Sequence, residues 1–563
     1  MATETLPPGL DEAVARRLGQ MDEAGFGERL WQADATLWKP DDETHQAIVA
    51  GALGWLSVFE GVRAEVDGLV AFVEELRDEG YRSAVLLGMG GSSLAPEVLR
   101  DVLGVRPGYL DLHVLDSTDP AAVLAVEAAV DLETTLFIVA SKSGGTTETA
   151  SFHAYFYERL RELDGDHAGR HFVAVTDEDT SLQREALDQG FRAVFVNPSD
   201  IGGRYSALSF FGLVPAALMG VDLPRLLDGV RAVAVACGPD VPAAGNPGLR
   251  LGAVLGEAAL AGRDKLTLVP EPPLRALGAW VEQLVAESTG KEGTGILPVD
   301  LEPLGGPGDY GGDRIFAAVG LAGVAAPAPA RRLLELAGAG HPVVGNELDD
   351  VYGLGGEFLR WEIAVAAAGY VLGIDPFDQP NVQESKDNTK RLLAGYAASG
   401  ELLEDLPEGE GRLAFPVGDA GLEAALAGLF ATAEPGDYVS LQAYVAPGEA
   451  VWSRLQELRL ALRDGLRLAT TLGYGPRYLH STGQLHKGGP NRGLFLQLVG
   501  HDPVDASIPG QPYGFSVLKR AQARGDLGAL RAHGCRVLRV CLGDDAAAGV
   551  GRLTEVVAGA LPR

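Results

Sequence analysis

SAVLLGMGGSS, residues 83–93, is an apolar run of five residues that passes directly into glycines at 88, 90 and 91 and serines at 92 and 93. A short apolar run closed by a glycine turn reads as a buried strand feeding a loop, with a helix beginning near Ser93. Outward from it the pattern repeats: LHVLDS (112–117), TTLFIVASKSGG (134–145), HFVAVTD (171–177) and FRAVFVN (191–197), with helices from about Asp119 and from Thr146 between them. Five such runs separated by helices predict an α/β fold built on a doubly wound, mainly parallel sheet. The runs are apolar throughout because helices are expected to cover both faces.

Upstream, from Leu10 to about Gly80, the apolar residues recur at helical spacing, with Leu53, Leu56 and Phe59 followed by Val66, Leu69, Phe72, Val73 and Leu76. Downstream, a second alternating block begins near Leu249, with strands at KLTLVP (265–270), DRIFAAVG (313–320) and HPVVG (341–345). Its helices run through Trp280 and Glu287, from Pro329, and from Phe358 to Ala368. Residues 398–412 are rich in glycine and charge and read as a boundary. Beyond them DYVSLQAYVAP (437–447), a helix from Trp452 to Arg463, LATTLGYG (468–475) and GLFLQLVG (493–500) form an α/β extension. The expected organisation is a helical segment over 1–79, two domains over 80–235 and 245–395, and a C-terminal region over 410–563 that completes or covers the site.

Among 563 residues, 46 Lys and Arg stand against 77 Asp and Glu, a formal charge of -31. That balance opposes nucleic acid binding, and an anionic ligand needs a local positive pocket. Three cysteines without CxxC spacing exclude a disulfide scaffold and a cysteine-bound structural metal. The first twenty residues mix acids and arginines where a signal peptide needs apolar ones, and no uncharged span reaches 18 residues, so a cytoplasmic protein without a membrane segment is expected.

Two loops point to an anion. In GMGGSS the glycines, Gly91 among them, let the backbone approach a ligand, and Ser92 and the following helix offer donors. It is not GxGxxG, and read alone it is also an ordinary tight turn. In SKSGGTTET (141–149), Ser141, Ser143 and Thr146 and the backbone N–H groups surround one oxyanion, with Lys142 supplying charge. It lacks the GKS or GKT order of a P-loop. Only eight lysines occur, yet Lys142, Lys291, Lys386 and Lys487 fall in compact polar or glycine-rich segments, where a point charge is wanted.

GGRYS (202–206) presents Arg204 for an oxygen that becomes negative, or for loop carbonyls. Gln283 and Glu287 lie four apart on one helical face, and Glu287 sits in the last turn, where the helix dipole raises its proton affinity. In GIDPFDQPNVQESK (373–386), Lys386 stands at a helix start and either donates to a substrate oxygen or extends into water. HSTGQLHKGGPNRG (480–493) carries two histidines whose spacing of six suits proton transfer better than a metal.

These motifs, in this order from Met89 to Lys386, resemble the glucose-6-phosphate isomerase family, most closely the isomerase portion of transaldolase/glucose-6-phosphate isomerase fusion proteins. The C-terminal HSTGQLHKGGP resembles that subgroup. The resemblance implies two sugar-isomerase domains and reversible conversion of D-glucose 6-phosphate and D-fructose 6-phosphate through ring opening and a cis-enediolate, in glycolysis and gluconeogenesis. It implies that Ser141, Ser143 and Thr146 hold the phosphate with help from Ser92, and that Gln283 hydrogen-bonds substrate or positions the catalytic segment. Glu287 is the base between C2 and C1, Arg204 stabilises the enediolate and Lys386 assists ring opening. It also implies a homodimer and neither metal nor redox cofactor. The family's histidine lies between the glutamate and lysine motifs, where this chain has only His341; ring opening is therefore assigned to His486 in the similar GQLHKGG, with His480 and His341 as the other candidates. A dual phosphoglucose/phosphomannose isomerase and a non-catalytic phosphosugar-binding regulator are the competing readings. Transaldolase chemistry fits less well, because no separate barrel and no Schiff-base lysine stand out.

Overall fold

In the computed structural model, which describes residues 4–324, 327–402 and 414–562, the run Ser83–Leu87 is β1. It lies between β2 (Asp111–Leu115) and β3 (Thr135–Ala140), and the sheet continues through β4 (Phe172–Asp177) to β5 (Ala193–Asn197), every pair parallel. Leu86 stands opposite Val114 on one side and Ile138 on the other. Val85, Leu86 and Leu87 are buried on both faces, as a helix-covered sheet requires. The chain steps from β1 outward to β2 and returns past β1 to β3. The loops after β1 and β3, residues 88–93 and 141–146, therefore leave adjacent carboxyl ends at a switch point, where open α/β sheets bind ligands.

A second parallel sheet uses β6 (Lys265–Pro270), β7 (Leu297–Val299), β8 (Arg314–Leu321) and β9 (Val343–Leu348) in the order β7-β6-β8-β9. Helices Pro247–Leu260 and Leu354–Leu372 pack together against it through small residues: a Cβ at Gly252 would lie 2.3 Å from the Ala364 carbonyl oxygen. The helical lead-in, with helices Pro8–Glu23, Phe26–Trp31, Glu43–Ala50 and Val58–Asp78, joins the same continuous apolar core.

The C-terminal α/β extension is built on a third parallel sheet. Strands β10 (Ala414–Pro416), β11 (Tyr438–Tyr444), β12 (Ala469–Tyr474), β13 (Gly493–Gly500) and β14 (Arg536–Gly543) lie in the order β10-β14-β13-β11-β12, with their own core. Residues 403–413, most of the expected boundary, lie outside the described residues. The segment after β12 and the helix Phe515–Ala532 dock on the first sheet through buried polar contacts. Arg477 pairs with Glu97 and lies 3.0 Å from Asp116, Lys519 lies 2.6 Å from Asp119, and Gln522 accepts from Thr118 at 2.6 Å. Thr470 and Arg463 reach the second unit, at Glu302 (2.8 Å) and the Pro303 carbonyl (2.6 Å). Among the described residues no helix is long and apolar enough to cross a membrane.

Glu362 is an outlier in this core. It is fully buried, neither carboxyl oxygen has a hydrogen-bond partner, and desolvation holds its pKa well above the ordinary glutamate value. The unfolded chain ionises it from its normal pKa upward while the folded protein does not, so its contribution to stability is lost as pH rises. Glu362→Met, close in volume, is expected to stabilise the protein by about 1–3 kcal/mol near neutral pH, with a gain that grows toward alkaline pH in denaturant titrations.

Candidate active site

The SKSGGTTET loop is held open for an anion. Thr176 Oγ1 donates to the Ser141 carbonyl at 2.7 Å, and Gly144, at φ +66°, turns the chain toward the helix Thr147–Asp164. The helix N-cap, Thr146, makes no side-chain capping bond; its Oγ1 lies 3.0 Å from Ser141 Oγ instead. Hydroxyls and unsatisfied N–H groups at the positive end of a helix dipole thus face one space. That space is a cavity of about 200 Å³ lined by Ser143, Thr146, Glu148, Lys386, His480 and Lys487 with their neighbours. Lys386 and Lys390 supply the local positive field that an acidic protein needs for an anionic ligand, whereas Lys487 is held by Asp526 at 2.8 Å. Lys142 is not among them. Its ammonium is turned away, paired with Asp177 and donating to the Ser199 carbonyl at 2.9 Å, so the expected charge on the cradle comes from other lysines.

The GMGGSS loop serves packing first. A Cβ at Gly91 would sit 1.9 Å from the Gly203 carbonyl oxygen, so only glycine lets this backbone meet GGRYS, and Ser206 Oγ donates to the Gly91 carbonyl at 3.3 Å. Ser92 is buried and does not line the cavity.

Pressed against that backbone, Arg204 is 2% exposed and fully engaged. Its Nε donates to Ser288 Oγ (2.7 Å), Nη2 to the carbonyls of Pro376 (2.7 Å) and Asp378 (2.9 Å), and Nη1 approaches Gln379 (3.3 Å) and Glu287 Oε2 (3.5 Å). Glu287 occupies the last turn of the helix Leu277–Thr289, as its spacing predicts, and is buried. Burial pushes its carboxyl pKa up, against the pull of Arg204 and of the Gln283 amide, which reaches Oε1 at 3.4 Å. The same amide donates to the His480 carbonyl at 2.8 Å, tying the carboxylate to the cavity wall. Lys291 donates to the carbonyl and carboxylate of Asp378, both at 2.5 Å, and burial beside Arg204 lowers its pKa to about 8.

The cavity histidine is His480, not His486. His480 Nε2 lies 3.1 Å from Glu148 Oε1, which also accepts from Gln522 Nε2 at 2.6 Å, so a buried carboxylate fixes the ring and its tautomer. His486 sits in the short helix Gly483–Gly488 and is 4% exposed, its ring 5.1 Å from Phe495 and 6.1 Å from both Tyr438 and Tyr478. Burial drives its pKa down to about 3, so it stays neutral. The intervening helical turn directs it into the C-terminal sheet. His341 packs on the rings of Tyr310 and Phe316, away from the cavity. Glu148 and Gln522 are further polar groups here that sequence reading did not single out. Glu148 stood in plain view within SKSGGTTET, whereas Gln522 carries no local signal.

Among the described residues His45, Asp375 and Asp378 bring ligand-type atoms within 4.8 Å of one another. The Lys291 ammonium already supplies a cation to Asp378.

The model of the phosphoglucose isomerase family matches residues 77–296. A glucose-6-phosphate isomerase of Heliobacterium modesticaldum is 30% identical over 420 residues, 64% of this chain and 93% of that one. Another, from Acaryochloris marina, is 31% identical over 290 residues, and there the chain spans 53% of the relative's length. Among solved structures, a hypothetical protein from Thermus thermophilus superposes with a TM-score of 0.59 at 26% identity, covering 70% of this chain and all of that one. A glucose-6-phosphate isomerase from Chlamydia trachomatis superposes with a TM-score of 0.53 at 20% identity and shares the fold.

Proposed function

The chain belongs to the glucose-6-phosphate isomerase family, and on that premise we propose that it interconverts D-glucose 6-phosphate and D-fructose 6-phosphate through a cis-enediolate. One observation carries the reading: Gln283 joins the Glu287 carboxylate to the wall of a cavity whose other walls hold the Ser143 and Thr146 hydroxyls, Lys386 and His480. A sugar phosphate has an anion at one end and its reacting carbons at the other, and the site separates the same two functions.

In this reading the phosphate rests on Ser143, Thr146 and the helix N-terminus, with Ser141 ordering the hydroxyls. His480, oriented by Glu148, gives a proton to the ring oxygen while Lys386 assists at the anomeric end. Glu287 takes the proton from the carbon next to the carbonyl and returns it to the neighbouring carbon. Arg204 lies beside Glu287, already desolvated, and its Nη1, whose contacts to Gln379 and Glu287 are the longest it makes, exchanges one of them for the negative oxygen of the enediolate. Residues 80–235 and 245–395 are the two sugar-isomerase domains of this account, and 410–563 completes the site by bringing His480 and Gln522. A homodimer working in glycolysis and gluconeogenesis in the cytoplasm belongs to the same reading.

The test is conversion in deuterated water. Fructose 6-phosphate supplied to the purified chain is expected to give glucose 6-phosphate labelled at C2, because the proton held by the base exchanges with solvent. Absence of conversion rejects the reading, and comparable turnover of mannose 6-phosphate selects the dual-specificity alternative.

A further inference from the structure

The turn Asp375–Asp378 lies between three parts of the chain that share no motif. From the GGRYS side, Arg204 Nη2 donates to the carbonyls of Pro376 and Asp378. From the loop after the Glu287 helix, Lys291 grips Asp378. From the N-terminal helical segment, His45 Nδ1 reaches Asp375 Oδ2 at 3.0 Å, with Asp378 Oδ2 3.8 Å away. Asp375 is wholly buried and its other oxygen accepts from Phe377 N at 2.8 Å, closing the turn on itself. Phe377 is packed by Trp38, Trp55 and Tyr205, so the first two of these bring the N-terminal segment against the turn.

We infer that His45 is a positioning residue for the isomerisation proposed above: its imidazolium anchors Asp375 and thereby holds the turn whose carbonyls aim the Arg204 guanidinium at Glu287. His45 is a quarter exposed while its partner is buried, so the proton comes from solvent and the charge it neutralises does not. The groups facing His45 are Asp375 and Asp378 on the turn and Asp42 at the cap of its own helix; Lys291 stands beyond Asp378, and Lys39 pairs with Glu292 nearby. The three carboxylates outweigh the desolvation that favours neutral imidazole, and its pKa is raised above the ordinary histidine value. A raised value means that the anchor is complete below the normal histidine range and is released as pH rises through the folded pKa. The polar partners of His45 are on the turn and on its own helix, and His45 does not line the cavity, so its effect passes through the turn and is expected in kcat more than in KM.

The experiment measures kcat and KM for fructose 6-phosphate with the full chain and three variants from about pH 6 to about pH 9, a span that brackets histidine titration. His45→Gln is expected to lower kcat by about tenfold below neutrality, short of the ~100-fold that a full ångström of misplacement costs. Its KM should stay within about twofold and its kcat should fall less steeply toward alkaline pH than the parent's, the remaining fall belonging to Lys291 on the same turn, whose pKa is about 8. His45→Lys, which keeps a cation, is expected to retain parental kcat and carry it further into the alkaline range. Asp375→Asn removes the anchored charge and is expected to repeat the low kcat and the shallower alkaline fall; it decides the matter if His45→Gln does not fold. Parental kcat and pH profile in His45→Gln, or equal losses in the Gln and Lys variants, overturns the inference. If the parent itself shows no conversion, the functional reading fails and the inference with it; an active parent with indifferent variants refutes the inference alone.

Discussion

Glu287→Gln is expected to lower kcat by about 10³-fold while leaving sugar-phosphate binding within a few-fold of the parent protein. The amide is isosteric and can still meet Gln283, so the helix end and the cavity wall keep their shape. Arg204 keeps its bonds to Ser288, Pro376 and Asp378 and does not depend on the 3.5 Å contact to Glu287 for its place. The phosphate anchors, Ser143 and Thr146, are untouched. What disappears is the group that carries the proton between carbons, so solvent deuterium at C2 falls in step with kcat. The parent enzyme should also lose rate on acidification, at a pH above the ordinary glutamate pKa, because burial raises the carboxyl and protonation removes the base. Exchange at the parental rate in Glu287→Gln removes this residue from the mechanism.

The second large effect separates two histidines six residues apart. His480→Asn is expected to cost about 10²-fold in kcat, since the asymmetric pair with Glu148 places a proton donor inside the cavity. His486→Phe is expected to leave kcat within about threefold, because a neutral ring packed on Tyr438, Tyr478 and Phe495 donates nothing to substrate. Its effect should appear in the melting temperature instead. Steady-state kinetics of the two variants side by side make the comparison, and the reverse ranking would return ring opening to His486.

The sequence pattern made the first two sheets legible because their strands are short apolar runs set between helical stretches, as in β1, β3, β4, β6 and β8, and β1 and β3 also end in glycine turns. β7 escaped, since Leu297–Val299 is three residues with a proline inside. β14 escaped for a different reason. Arg536 and Arg539 interrupt its apolar pattern, yet Arg536 pairs with Asp437 and Arg539 with Gln497 and the Ala523 carbonyl, partners that only tertiary structure supplies.

At the site, Glu287 in the last turn of its helix was readable from a spacing of four and a glycine stop. Lys142 was misplaced because composition shows that a lysine is near an anion loop without showing which way it points; Asp177, 35 residues on, decides that. His480 and His486 could not be ranked from their motif, because the difference lies in a helical turn and in the rings of Tyr438, Tyr478 and Phe495, which only the folded chain gathers around His486. His45 carried no motif at all.

The central claim is that one cavity holds the phosphate at the SKSGGTTET loop and presents C1 and C2 to Glu287. A crystal structure of the chain with a linear, non-isomerisable six-carbon sugar phosphate tests it most directly. Phosphate oxygens are expected on Ser143 and Thr146, and the C1–C2 bond within about 3.5 Å of the Glu287 carboxylate, a near-attack distance. A ligand bound elsewhere, or bound here with its C1–C2 end turned away from Glu287, would contradict it.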